Sequence, residues 1–133
     1  MESLPKKKFP PSPKIIYMGT PDFAVPALKV LVESGYDVLA AVTQPDRPKG
    51  RGKKIVSSPV KQVATDLGIK VLQPESVSAL QFSDMIRDMA PDLIVVVAFG
   101  QILRKAFLDI PTFAVINIHA SLLPKYRGAA PIQ

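Results

Sequence analysis

Leu93-Ile-Val-Val-Val-Ala-Phe99 is an unbroken run of seven apolar residues closed by Gly100, and it constrains the fold more than any other feature of the chain. Even extended to Leu103, the stretch is far shorter than the roughly 20 residues that cross a bilayer. With no polar side chain to turn toward water, the run predicts a strand buried on both faces, as in parallel sheets covered by helices. Shorter apolar runs at Lys14–Met18, Tyr36–Val42, Ile69–Leu72 and Phe113–Ile118 predict four more strands. Helical patterns lie between them. The first is opened by Thr20-Pro21-Asp22, with Thr20 as cap and Pro21 in the first turn, and stopped by Ser34-Gly35. Others span Val60–Leu67, Ser78–Met89 with Leu80, Met85, Ile86 and Met89 inward, and Ile102–Phe107. Such alternation implies an α/β fold with a parallel sheet and right-handed crossovers.

With 133 residues the expectation is one domain. Apolar residues at 47% and charged residues at 21% exclude a disordered or fibrous chain. The absence of cysteine excludes disulfides, thiolate metal sites and a cysteine nucleophile, and a single histidine excludes a His-rich zinc site, so no metal is expected. Met1 to Pro13 has three lysines and four prolines but no apolar core, so it reads as a disordered extension or cloning remnant rather than a secretory signal.

The net charge of +6 is unevenly placed. Arg47, Lys49, Arg51, Lys53, Lys54 and Lys61 face only Asp46 in the stretch 43–61, for +5, and residues 1–13 add +2. The rest of the chain is near neutral. Residues 43–59 read as a long loop of prolines, glycines and cations without periodicity, a composition suited to phosphate. A solvated surface loop is the plainer alternative, but the concentration of charge favours nucleic acid.

In parallel α/β sheets ligands bind beyond the carboxyl ends of the strands, where strand order reverses. Gly19-Thr20, Phe99-Gly100-Gln101 and Asn117-Ile118-His119 fall at such ends and are expected to meet in one crevice. Neither a G-x-G-x-x-G fingerprint nor a P-loop is present, so neither NAD nor a P-loop nucleotide is indicated. If the last strand continues, Asn117, His119 and Ser121 share one face. An asparagine amide can donate to a developing oxyanion and a neutral imidazole can move a proton, a pairing suited to acyl transfer. A histidine hydrogen-bonded into the structure is an equal alternative. Leu122-Leu123-Pro124 beside this cluster either walls a pocket for a flat heterocycle or tucks under the core.

Gly19-Thr-Pro-Asp-Phe23, the stretch Thr43–Lys54, Ser58-Pro-Val-Lys61 and the stretch Asn117–Gln133 together resemble the 10-formyltetrahydrofolate-dependent formyltransferases, and among them those acting on methionyl-tRNA. The resemblance runs from about Lys14 to the last residue. It implies a Rossmann-like, doubly wound, mainly parallel sheet with helices on both faces. The implied reaction moves a formyl group from 10-formyltetrahydrofolate to the α-amino group of methionyl initiator tRNA, in the cytoplasm and as a monomer. On this resemblance Asn117 holds the formyl oxygen and His119 assists electrostatically and in proton transfer. Ser121, Leu122, Leu123 and Pro124 would bind folate, while Gln101, Ile102, Leu103 and Phe107 line the pterin pocket. Arg47, Lys49, Arg51, Lys53 and Lys54 would reach the tRNA acceptor end, with Arg51 foremost, and Phe23 the methionyl group. Family members carry a catalytic aspartate and a tRNA-holding β-rich domain further along. The expectation is therefore an amino-terminal part of the catalytic domain over 14–133, inactive alone. The alternatives are a binding module with weak folate or nucleic-acid contact, and a formyltransferase acting on another amine.

Overall fold

A computed structural model describes residues 9–52 and 54–119. In chain order they form β1 (Lys14–Gly19), a 3-10 turn (Asp22–Ala24), α1 (Val25–Glu33), β2 (Asp37–Val42), β3 (Arg47–Lys49), β4 (Lys54–Val56), α2 (Pro59–Asp66), β5 (Val71–Leu72), α3 (Leu80–Met89), β6 (Leu93–Val97), α4 (Lys105–Leu108) and β7 (Ala114–Ile118). Five strands make one parallel sheet in the order β5-β2-β1-β6-β7. The order reverses at β1, which pairs with β2 on one side and β6 on the other. This is the doubly wound, Rossmann-like arrangement.

Both faces of the sheet are covered. Ile15, Tyr17, Leu93, Val95 and Val97 point to one side and pack with Leu28 of α1 and Val60 and Ala64 of α2. Ile16, Met18, Ile94 and Val96 point to the other and pack with Phe82 and Ile86 of α3 and Phe107 of α4. All five residues of β6 are buried, as the apolar run requires. The two cores are separate because strand side chains alternate. No helix among the described residues is long and apolar enough to cross a membrane.

Four local expectations are corrected. Thr20 caps no helix: a 3-10 turn precedes α1, whose early proline is Pro26, and the Thr20 hydroxyl instead donates to the Phe99 carbonyl at 2.7 Å. The basic stretch is not structureless, because β3 and β4 pair as an antiparallel ribbon. Its turn is made possible by Gly50 and Gly52, both at positive φ, where a side chain is strained. In α3 the inward residues are Phe82, Ser83 and Ile86, with Met89 partly buried, whereas Leu80 is 78% and Met85 41% exposed. The stripe follows the 82, 86, 89 spacing of a helix face, which Leu80 does not share. Finally, Ile102 and Leu103 precede α4, which begins at Lys105.

The close approach of β1 to its neighbours depends on Gly19. A Cβ there would lie 2.7 Å from the Ala24 Cβ and 2.8 Å from the Val97 carbonyl oxygen. Neither group can swing aside. Gly19→Ala should therefore cost about 1–3 kcal/mol of stability, the usual penalty of overpacking, measured as a lowered urea midpoint at unchanged slope. A midpoint equal to that of the unsubstituted chain would show that the turn yields freely.

Candidate functional site

The carboxyl ends of the strands carry the polar side chains that the sheet interior excludes. Asn117 sits in register with Val96, and His119 follows the last residue of β7. Both are exposed. They line an open cavity of about 310 Å³ together with Val96, Ala98, Phe99, Gln101, Leu103, Leu108 and Ile118. Apolar side chains and the polar Gln101, Asn117 and His119 share the lining, a combination suited to a small molecule with both kinds of surface. Ala98 and Gly100 both take positive φ here, so the chain leaving β6 turns sharply where it borders the cavity.

Of the eight residues assigned by resemblance to the formyl donor, the structure brings Gln101 and Leu103 to this cavity. Ile102 lies outside it at 87% exposure. Phe107 is 3% exposed in the core, its ring stacked on Phe82 with centroids 5.9 Å apart, so it supports the wall from behind while Leu108 reaches the cavity. Ser121, Leu122, Leu123 and Pro124 lie outside the described residues, as does Lys53. Phe23, in the 3-10 turn, is half-buried against the α1 side of the core.

The basic ribbon rises from the neighbouring strand end. Register places Arg47 and Lys54 on one of its faces and Pro48 and Ile55 on the other. Arg47, Arg51 and Lys54 are exposed, and Lys49 lies on β3. Between the ribbon and β1 is a smaller hollow of about 180 Å³, lined among others by Thr20, Gln44, Arg47 and Ser58. Ser58 caps α2, accepting from the Lys61 N–H at 3.0 Å, and shares a 2.6 Å hydrogen bond with the buried Thr43 hydroxyl. The first turn of α2 is thereby tied to the end of β2.

A network invisible to local pattern joins these parts. Lys61 Nζ lies 3.0 Å from the Asp46 carboxylate, which also accepts from the Gln73 amide at 2.8 Å. Gln73 donates to the Gln44 carbonyl at 3.2 Å, and Gln101 donates to the Gln44 side-chain oxygen at 3.2 Å. Partners in these bonds are 15 to 57 residues apart, so no spacing in the sequence reveals them. Only the polarity of Thr20, Gln44, Gln73 and Gln101 at strand ends signals them.

Residues 13–133 match the family described as Formyl transferase. A methionyl-tRNA formyltransferase of Geobacter metallireducens is 64% identical over 119 residues, and one of Ruminiclostridium cellulolyticum is 56% identical over 120. A third, from Geobacter sulfurreducens, is 62% identical over 120. Each alignment takes in 90% of this chain and 38% of the relative. The chain thus spans little more than a third of the length of these curated relatives.

The Gln73 amide and the Lys61 ammonium hold the Asp46 carboxyl below its ordinary value. A depressed carboxylate is fully ionised above its unfolded value, and its contribution is lost as pH falls through the lower folded value. Amide shifts of Arg47–Val56 should hence stay constant from neutral pH down to about pH 4 and move only below it. Asp46→Asn should abolish that movement. Ribbon shifts that titrate above about pH 5, or identically in the variant, would place the anchor elsewhere.

Proposed function

The chain belongs to the formyl transferase family, and on that premise we propose that it provides the formyl-donor and catalytic face of an enzyme that formylates methionyl initiator tRNA. The observation that carries the reading is the placement of Asn117 and His119 beside a cavity of mixed polar and apolar lining, in a sheet whose strand ends also carry a ribbon of cations. The names of the relatives supply the acceptor. The donor, 10-formyltetrahydrofolate, suits the cavity by its chemistry: a flat heterocycle would meet Val96, Phe99, Leu103 and Ile118, with Asn117 and His119 as the polar groups open to it.

In this reading the methionyl amine attacks the formyl carbon, and the bond from that carbon to the donor nitrogen breaks. The amine gives up a proton and the donor nitrogen gains one. Asn117 donates its amide to the oxygen as negative charge grows on it. His119 accepts or relays the proton, its ring nitrogens being able both to accept and to donate one. Arg47, Lys49, Arg51, Lys53 and Lys54 meet the tRNA phosphates, and Phe23 contributes to the methionyl side. Ser121, Leu122, Leu123 and Pro124 complete the folate contacts, with Ile102 adding apolar contact at the rim and Phe107 bracing the wall. No metal enters the scheme.

The test is formyl transfer from labelled donor to methionyl-tRNA by the complete gene product that contains these residues. Asn117→Ala should lower the turnover number by roughly 10²–10³-fold, the cost of one oxyanion donor. Turnover near that of the unsubstituted enzyme would remove Asn117 from the mechanism. Replacing Arg51 and Lys54 with Ala should raise the Michaelis constant for tRNA while leaving that for the donor nearly unchanged. It should also flatten the slope of log affinity against log salt by about 0.7–0.9 for each phosphate that is no longer neutralised. An unaltered salt slope would make the ribbon a solvated surface.

A further inference from the structure

Gln44 stands at the crossing of the loops that border the candidate site. Its N–H donates to the Thr20 hydroxyl at 3.4 Å, its carbonyl accepts from Gln73, and its side-chain oxygen accepts from Gln101. Two residues on, Asp46 anchors the basic ribbon through Lys61 and Gln73. The Gln44 side chain also lies against Gly100. A Cβ built there would come within 2.7 Å of the Gln44 Nε2, which shows how closely the two lie, and the φ of +107° at Gly100 is what reserves the position for glycine.

Gln101 is committed to the fold at both ends of its amide. Its Oε1 accepts from the Val77 N–H at 2.9 Å, while its Nε2 donates both to Gln44 and to the Glu75 carbonyl at 3.2 Å. Its side chain therefore ties three loops together: those that follow β2, β5 and β6. Thr20 adds a fourth tie by donating to Phe99. These bonds, on either side of Gly100, oppose displacement of the turn away from the cavity.

We propose that Gln44 is a positioning residue, whose side-chain amide holds the Phe99–Gln101 wall of the cavity in place against the base of the basic ribbon. This rests on the reading that the cavity takes the formyl donor. The wall touches the donor and Gln44 does not, so the effect of losing it falls on donor binding rather than on the reacting atoms. Glutamate at this position keeps the acceptor that Gln101 uses. Leucine keeps the approximate size but offers none.

The experiment compares Gln44→Leu and Gln44→Glu in the complete gene product. Gln44→Leu should raise the Michaelis constant for 10-formyltetrahydrofolate about 3- to 10-fold, the range for one neutral hydrogen bond, with the turnover number within about threefold. Gln44→Glu should restore it to within about twofold. In parallel, amide hydrogen exchange without ligand should be faster at Gly100–Leu103 in Gln44→Leu than in Gln44→Glu. A donor Michaelis constant unmoved by leucine, or raised equally by both substitutions, overturns the proposal. If the unsubstituted protein transfers no formyl group, the functional reading fails, and exchange at Gly100–Leu103 decides the positioning role alone: faster exchange in the leucine variant supports it, equal exchange overturns it.

Discussion

Every other element is placed by the pairing of β1 on both of its edges. From Ile15 to Gly19 the strand is inaccessible to solvent, and its backbone groups have no partners available except β2 and β6. A buried peptide group left unpaired costs about twice what its hydrogen bond is worth in net stability. The two neighbours are therefore obligatory. Since α1 and α2 connect strands on one side of β1, and α3 carries the chain back across to β6 on the other face, the crossovers diverge. A crevice opens where they part. The first turn after β1 and the turn after β6 are brought together there by the Thr20–Phe99 hydrogen bond.

Electrostatics then divides the labour along that edge. Lys61 is neutralised by Asp46 in a pair of which both side chains are about one-third exposed. A pair so open to water contributes little net stability, and its value lies in orientation: it joins α2 to the stem of the ribbon. The cations further along, Arg47, Arg51 and Lys54, remain exposed and face solvent. The excess positive charge read from the sequence is thus carried by a two-stranded ribbon rather than by a loose loop, which restricts where those charges can go when a polyanion approaches.

Much of the fold was legible because apolar periodicity is a direct record of burial. Leu93–Val97, Asp37–Val42 and Lys14–Gly19 announce strands, and glycines at 35 and 100 mark ends. What escaped was decided by tertiary contact. Thr20 has the chemistry of a helix cap, yet its hydroxyl reaches a carbonyl 79 residues away. Arg47–Lys49 lacks strand composition, with Pro48 at its centre, and Lys54–Val56 is only three residues long, so both become strands only by pairing with each other. At the site, Asn117, His119, Gln101 and Leu103 were marked by motif and do line one cavity, whereas Phe107 reads as a pocket residue but fills the core. The glutamine and aspartate ties were illegible because polar residues in loops carry no period.

On the proposed reading, the donor enters between the carboxyl ends of β6 and β7. The most direct measurement is a titration of the isotopically labelled complete gene product with a reduced folate lacking the transferable formyl group, followed by amide chemical shifts. Perturbations concentrated at Val96–Leu103 and Asn117–His119 are expected. Shifts confined instead to the separate apolar hollow of about 420 Å³ bounded by Leu72, Pro74, Phe82 and Met85 would contradict it.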